Sequence, residues 1–213
     1  MHQEGDGPFY QGDSREWILI PMFLWFFFAG VKIMQSLDEI IRERRSIRRF
    51  EKRDVELEKV TALLEAARWA PSWGNSQCWH FIVIQDQEQK ERLAETLSKK
   101  NPATLTVRDA PVVLAVCGES KKSGYYGGQQ ITRYHDWLMY DLGLATQNIC
   151  LTAHSLGLGS VIVGSFDHEL AEKVLGVPQG YEVVSLLPLG YPDHAPSAPK
   201  RKESAFFVHY GCF

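Results

Sequence analysis

Apolar positions recur at helical spacing between residues 55 and 70, where Val60, Leu63, Leu64 and Ala67 share one face and Pro71 stops the run. A shorter helix is expected over residues 36–45. Leu37, Ile40 and Ile41 give it an apolar side, and Ser36 with Glu39 three residues on forms a capping box. The aromatic and β-branched stretch 79–85 reads as a strand, and residues 87–98 as a helix. Residues 111–117 are apolar on both parities, as in a strand covered on two sides. A long helix should run from about Asp136 to Ser155 and end at Gly157, with a short extended segment at 160–164, a helix at 168–175 and a strand at 181–190. Pro188 suggests that this last strand lies near an edge or ends early. The predicted order is α-α-β-α-β-α-β-α-β, with the long helix as a spine. Between the second strand and that helix, residues 118–135 carry charge, glycines and tyrosines and form the main lid candidate.

The first 33 residues break this pattern. Residues 1–16 are polar, whereas residues 17–31 (WILIPMFLWFFFAGV) are almost wholly apolar. That run falls short of the roughly 20 residues that span a bilayer as a helix. It also lacks the basic flank of a signal peptide, because Glu4, Asp6, Asp13 and Glu16 outnumber Arg15. Three readings stay open: a packing or dimer-covering arm, a membrane-association segment, or an upstream stretch that is not native protein. A typical domain would begin at Met34, so the expected division is 1–33 as an extension and 34–213 as the functional domain.

Composition narrows the function. The formal net charge is −3, so there is no reason to expect a nucleic-acid partner, whose backbone requires concentrated positive charge. Cys78, Cys117, Cys150 and Cys212 form no C-x-x-C pair, and Cys117 and Cys150 read as buried thiols of a reducing compartment, that is, cytoplasmic. The seven histidines show no metal spacing. Neither G-x-S-x-G nor H-E-x-x-H occurs, and no G-x-G-x-x-G follows a first strand. Asp136 and Asp141 stand five apart on the predicted helix and do not form a paired-carboxylate face.

Four segments could carry chemistry. Arg44, Ser46 and Arg48 alternate along RRSIRR and could face one phosphate, since guanidinium groups match phosphate oxygens with paired donors. A solvated basic surface explains them equally well. The distant run Lys200, Arg201, Lys202 has only a weak case on its own. The loop 70–79 offers Asn75 and Gln77, whose amides both donate and accept as a heteroaromatic ring edge would require. A plain turn is the alternative. Gly157 and Gly159 permit either close approach of a flat ligand or a helix cap.

Taken together, RRSIRRF, APSWGNSQCWHFIVI, DLGLATQNICLTAHSLGLGS, LPLGYP, PKRK and FVHYGCF, in this order, resemble the FMN-dependent nitroreductase family of the small, single-domain, homodimeric type. The resemblance implies an α+β fold: a mostly antiparallel central sheet flanked by helices, in an interlocked homodimer whose C-terminal tail, here Ala205–Phe213, is exchanged and adds a strand to the partner. It implies FMN held at its phosphate and ribityl chain by Arg44, Arg45, Ser46 and Arg48, with Lys200 and Arg201 or Lys202 closing on the phosphate. Pro71, Ser72, Trp73, Asn75 and Gln77 would border the ring, partly from the partner subunit, and Val161, Ile162 and Gly164 would pass its other side. The implied activity is ping-pong transfer from NADH or NADPH through FMN to a small-molecule acceptor such as a nitroaromatic or quinone, with no amino-acid general base. An FMN-binding redox or flavin-processing protein with little turnover, or a membrane-associated member using residues 17–31, are the alternatives. Two departures stand out. Cys78 occupies a frequent proline position, and the tryptophan common near Ile162 is absent.

Overall fold

A computed structural model describes residues 35–213; the extension 1–33 and its apolar run lie outside the described residues. Helix α1 (Leu37–Glu43) starts at the expected capping box: the Glu39 amide donates to Ser36 Oγ and the Ser36 amide to the Glu39 carboxylate. Helix α2 (Leu57–Arg68) buries Val60, Leu63 and Ala67 and stops before Pro71. There follow strand β1 (Trp79–Ile84), helices α3 (Gln87–Ala94) and α4 (Thr104–Asp109), and strand β2 (Val112–Glu119). A small hairpin, β3 (Tyr125–Tyr126) and β4 (Gln129–Gln130), precedes the long helix α5 (Leu138–Ser155). The chain continues through β5 (Gly159–Ser160), α6 (His168–Leu175) and β6 (Tyr181–Gly190). Helix α4 was not expected. It is six residues long, and its N-cap, Ala103, offers no side-chain hydrogen bond.

The main sheet has the order β1-β2-β6-β5, and every pairing is antiparallel. This is the α+β arrangement with helices on both faces. Strand β2 lies inside it and explains its own composition. Val112, Leu114 and Val116 join the core built with α2 and α5, while Val113, Ala115 and Cys117 join the core built with α3, α4 and α6. Alternate side chains of a strand point to opposite faces, so a strand sandwiched this way must be apolar at every position.

Pro188 does not mark an edge. Strand β6 is interior, with β2 along one side and β5 at the end of the other. Leu186 exchanges hydrogen bonds with Val163, and Pro188 O accepts from Val161 N–H, so residues 186 and 188 direct their backbone groups toward the β5 side. The register of β5 continues through Val161 to Val163, and the one ladder bond that proline cannot make is the bond to the Val161 carbonyl. The predicted strand 160–164 is accordingly reduced to β5 and an isolated bridge at Val163. Helix α5 ends as expected: Gly157 has φ +77°, and Leu158 N–H donates to Ala153 O at 2.8 Å, closing the last turn.

Candidate functional site

The basic segment begins where α1 ends. Arg45 folds its guanidinium back onto the carbonyls of Arg42 and Arg44, satisfying acceptors that a helix end leaves free. The chain then runs extended beside β5, with Ile47 N–H donating to Ser160 O at 2.9 Å. Ile47 points inward and fills the space above Gly159, where an added Cβ would stand 2.6 Å from Ile47 Cγ1. Gly159 is therefore required by packing against Ile47. Alternation then places Arg44, Ser46 and Arg48 on the opposite face. They line a cavity of about 170 Å³ together with Gln147 and Cys150 of α5 and Ser160, Val161 and Ile162.

A second cavity, of about 260 Å³, joins Arg44, Arg45, Ser46 and Arg48 to Pro199 and Arg201. The two basic clusters, about 150 residues apart in sequence, thus meet. Arg201 is the member of PKRK that lines this cavity. Lys202 instead sits 3.7 Å over the Phe206 ring, and Lys200 lines neither cavity. Gly164 is exposed and lines neither. Among the described residues, Arg44, Arg48 and Arg201 form no ion pair with a carboxylate. Behind them lies a further space of about 220 Å³ bordered by Ile47, Cys150, His154 and His194. Burial pushes the His154 imidazole below its ordinary pKa, and Arg44 and Arg45 push it the same way against Glu43.

The turn after α2 is built differently. Gly74, Asn75 and Gln77 all have positive φ, at +55°, +55° and +46°. Glycine adopts this freely and asparagine tolerates it, but glutamine rarely does, and such strain costs about 1–3 kcal/mol per residue. The turn is held by hydrogen bonds to Asp141 and by one of its own. Trp73 N–H donates to Asp141 at 3.0 Å, Ser76 Oγ donates to the same carboxylate at 3.2 Å, and Gln77 N–H donates to Ser72 Oγ at 2.9 Å. Asp141 also accepts from Ser123 Oγ at 2.6 Å and has Cys78 Sγ at 3.7 Å. Burial first, and the Asp141 carboxylate second, push the Cys78 thiol up to about 11.

Asp141 is fully buried, and sequence reasoning weighed it only as a pair with Asp136 and set it aside. One signal could have found it. Residues 138, 141, 142, 145, 149 and 153 form the buried stripe of α5, and Asp141 is the charge within that stripe. A carboxylate there must have donors waiting for it. The turn lines its own cavity of about 290 Å³, formed by Pro71, Ser72 and Trp73 with Trp137, Tyr140, Asp141 and Leu144. None of the cavities described joins residues 71–77 to residues 44–48.

The stretch 118–135 is pinned at its base. The Asp136 carboxylate accepts from the Lys121 and Leu138 amides, each at 2.8 Å. Inside it, Trp137 Nε1 donates to Thr132 Oγ1, while Tyr126, Ile131 and Tyr134 are exposed. At the other end, Phe206, Phe207, Tyr210 and Phe213 are exposed, and residues 207–213 form no strand within this chain. Cys78, Cys117 and Cys150 are buried free thiols, and no described group of His, Cys, Asp and Glu could hold a metal. Among the described residues no helix is long and apolar enough to cross a membrane.

An antiparallel sheet between helices defines an α+β protein, with guanidinium groups converging beside the loop after the long helix. Residues 41–191 match the nitroreductase family, and the chain belongs to it. It is 35% identical over 162 residues to a Methanothermobacter thermautotrophicus protein provisionally named NADH dehydrogenase/NAD(P)H nitroreductase, covering 74% of this chain and 78% of that one. It is 28% identical over 201 residues to the iodotyrosine deiodinase of Thermotoga neapolitana, covering 84% of this chain and all of the relative. The solved FMN-dependent nitroreductase of Clostridium difficile superimposes with a TM-score of 0.71 at 26% identity, covering 83% of this chain and 99% of that one. Membership supports oxidoreductase activity with FMN and a nicotinamide nucleotide in general terms.

Proposed function

We propose that this chain is a homodimeric FMN-dependent reductase that passes electrons from NADH or NADPH to a nitroaromatic, quinone or similar conjugated acceptor by a ping-pong mechanism. The observation that carries the reading is the convergence of Arg44, Arg48 and Arg201 on one cavity with no carboxylate partner among the described residues. Three uncompensated cations around a space next to Ser46 and Ser160 fit a phosphate, to which charge-assisted hydrogen bonds are strongest. FMN, when bound, supplies the two-electron chemistry, and the protein supplies binding, orientation and charge.

In this reading Arg44, Arg48 and Arg201 hold the phosphate, with Arg45 shaping the segment from the helix end and Lys200 and Lys202 adding local positive charge. Ser46 adds a hydroxyl, and Val161 and Ile162 wall the cavity beside them. Pro71, Ser72, Trp73, Asn75 and Gln77 border the ring of the flavin held by the other subunit. Two features support this division. The turn and the basic segment line separate cavities within one chain, and the aromatic tail Ala205–Phe213 is exposed, with none of the other described residues covering it. The exposed Tyr126 and Tyr134 of the lid suit stacking of a conjugated acceptor.

The test is to purify the full chain, measure bound flavin, and follow anaerobic reduction by NADH and NADPH in stopped flow before adding a quinone and a nitroaromatic. The reading expects a yellow protein, rapid bleaching by at least one nicotinamide, and recovery on acceptor addition. A colourless protein that gains no flavin absorbance from added FMN sinks it. Tight FMN with slow reduction by both nicotinamides replaces it with a flavin-binding or flavin-processing role.

A further inference from the structure

We infer that Asp141 is a positioning residue that serves two parts of the site at once. Its carboxylate holds the turn 72–78 in the conformation the flavin needs, and it ties the base of the lid to that turn. The inference rests on the proposed flavin reading for its consequence, while its structural basis stands on the contacts alone.

Four donors from two distant segments converge on this one buried group. Trp73 N–H and Ser76 Oγ come from the turn, at 3.0 and 3.2 Å, and Cys78 Sγ lies 3.7 Å away where the turn enters β1. Ser123 Oγ comes from the start of the lid, at 2.6 Å, and the Ser123 side chain is itself fully buried. The Ser123 carbonyl also accepts from Trp137 N–H, so lid base, helix start and turn close on a common point. A surface carboxylate would gain little from such contacts. A buried one needs them, and they in turn need it, because losing the acceptor leaves several donors without their partner.

The arrangement explains why the turn tolerates Asn75 and Gln77 at φ +55° and +46°. Its ends are fixed at Trp73 and Ser76–Cys78 by a rigid 18-residue helix, so the residues between must take whatever backbone angles connect them. Asn75 is the residue read as reaching the flavin, and its aim depends on these anchors. It also gives Cys78 a role. A proline at this position would have no side-chain donor, whereas the Cys78 thiol, kept protonated by burial, points at the carboxylate.

The experiment compares full-length wild type with Asp141→Asn, Ser123→Ala and Ser76→Ala. Amide hydrogen exchange is read at residues 72–78 and 120–136, and FMN binding is read by flavin fluorescence. The steady-state kcat and KM are read for a quinone. Asp141→Asn is expected to speed exchange at least 10-fold in both segments, but not in β2, and to weaken FMN at least 10-fold. Ser123→Ala is expected to speed exchange in the lid and raise the quinone KM at least 3-fold with FMN affinity nearly unchanged. Ser76→Ala is expected to weaken FMN at least 3-fold with the quinone KM nearly unchanged. This split between KM and flavin affinity would not follow from a general loss of stability. If Asp141→Asn does not fold, the two serine variants decide the matter. Wild-type exchange and binding in the variants that fold would overturn the proposal. A wild-type protein that binds no FMN would sink the flavin reading instead, with the exchange comparison still deciding the role of Asp141.

Discussion

The segment Arg44–Arg48 and the turn 72–78 solve opposite problems. The first gathers cations that have no carboxylate partner among the described residues, around space. The second gathers donors around a buried carboxylate and leaves backbone strain at Asn75 and Gln77. One is an electrostatic socket of unpaired cations, the kind of space that suits an anionic ligand. The other is a rigid fitting whose value is shape. Mutations should therefore separate them: changes in the socket cost binding without stability, and changes around the fitting cost both.

The largest effect is expected from the socket. Replacing Arg44 and Arg48 by alanine removes two charged contacts worth about 1.5–3 kcal/mol each, so the FMN Kd should rise on the order of 10²-fold or more. The melting temperature of the flavin-free protein should barely move, which differential scanning calorimetry can check. A large drop in that temperature would mean that the arginines are structural.

Gly159→Ala sharpens the comparison from the packing side. The new methyl group would stand 2.6 Å from Ile47, and overpacking of this kind costs about 1–3 kcal/mol. Because Ile47 sets the alternation that turns Arg44, Ser46 and Arg48 outward, FMN affinity should fall together with stability. Denaturant unfolding with parallel flavin titration distinguishes this from the arginine variants.

A subtler change breaks the turn's side of the comparison. Asn75→Gly removes the left-handed strain and the amide together. Stability should change by no more than about 1 kcal/mol, since relief of strain is offset by glycine's greater freedom in the unfolded chain. FMN binding should nonetheless weaken several-fold. Unchanged binding would remove Asn75 from the flavin site.

The smallest signal is chemical. The Cys78 and Cys117 thiols are both pushed up to about 11, chiefly by burial, and Cys150 is also raised. All three are buried. Titration of the native protein with a thiol reagent should therefore leave Cys78, Cys117 and Cys150 slow. In Asp141→Asn one of the three should react faster as Cys78 loosens.

The two regions also differ in how far the chain's own letters disclose them. The shared face of Arg44, Ser46 and Arg48 was legible, because alternation is a local property of an extended segment, but the letters alone left a solvated basic surface equally open. Closure of the socket by Arg201 was legible only through the family resemblance, since nothing local in PKRK says which residue turns inward. The turn was legible as a turn through Pro71, Gly74 and Asn75. What holds it was not, because Asp141 lies some 65 residues downstream on a helix. Most of the fold followed from local pattern. The two-sided apolarity of Val112–Cys117 and the capping box at Ser36 both appear as expected. Helix α4 did not, because six residues make too short a period to recognise. Pro188 misled because one missing ladder bond, opposite Val161, is tolerated inside the sheet, and that is a property of the assembled sheet.

The central claim is that guanidinium groups from two ends of the chain hold one phosphate. Comparing FMN with riboflavin, which lacks only that phosphate, tests it most directly. The wild type should bind FMN at least about 100-fold more tightly than riboflavin, as expected for two or three charged hydrogen bonds. In Arg44→Ala/Arg201→Ala that preference should collapse to a few-fold while riboflavin affinity stays put. Equal wild-type affinity for the two flavins, or a preference that survives the double substitution, would contradict the account.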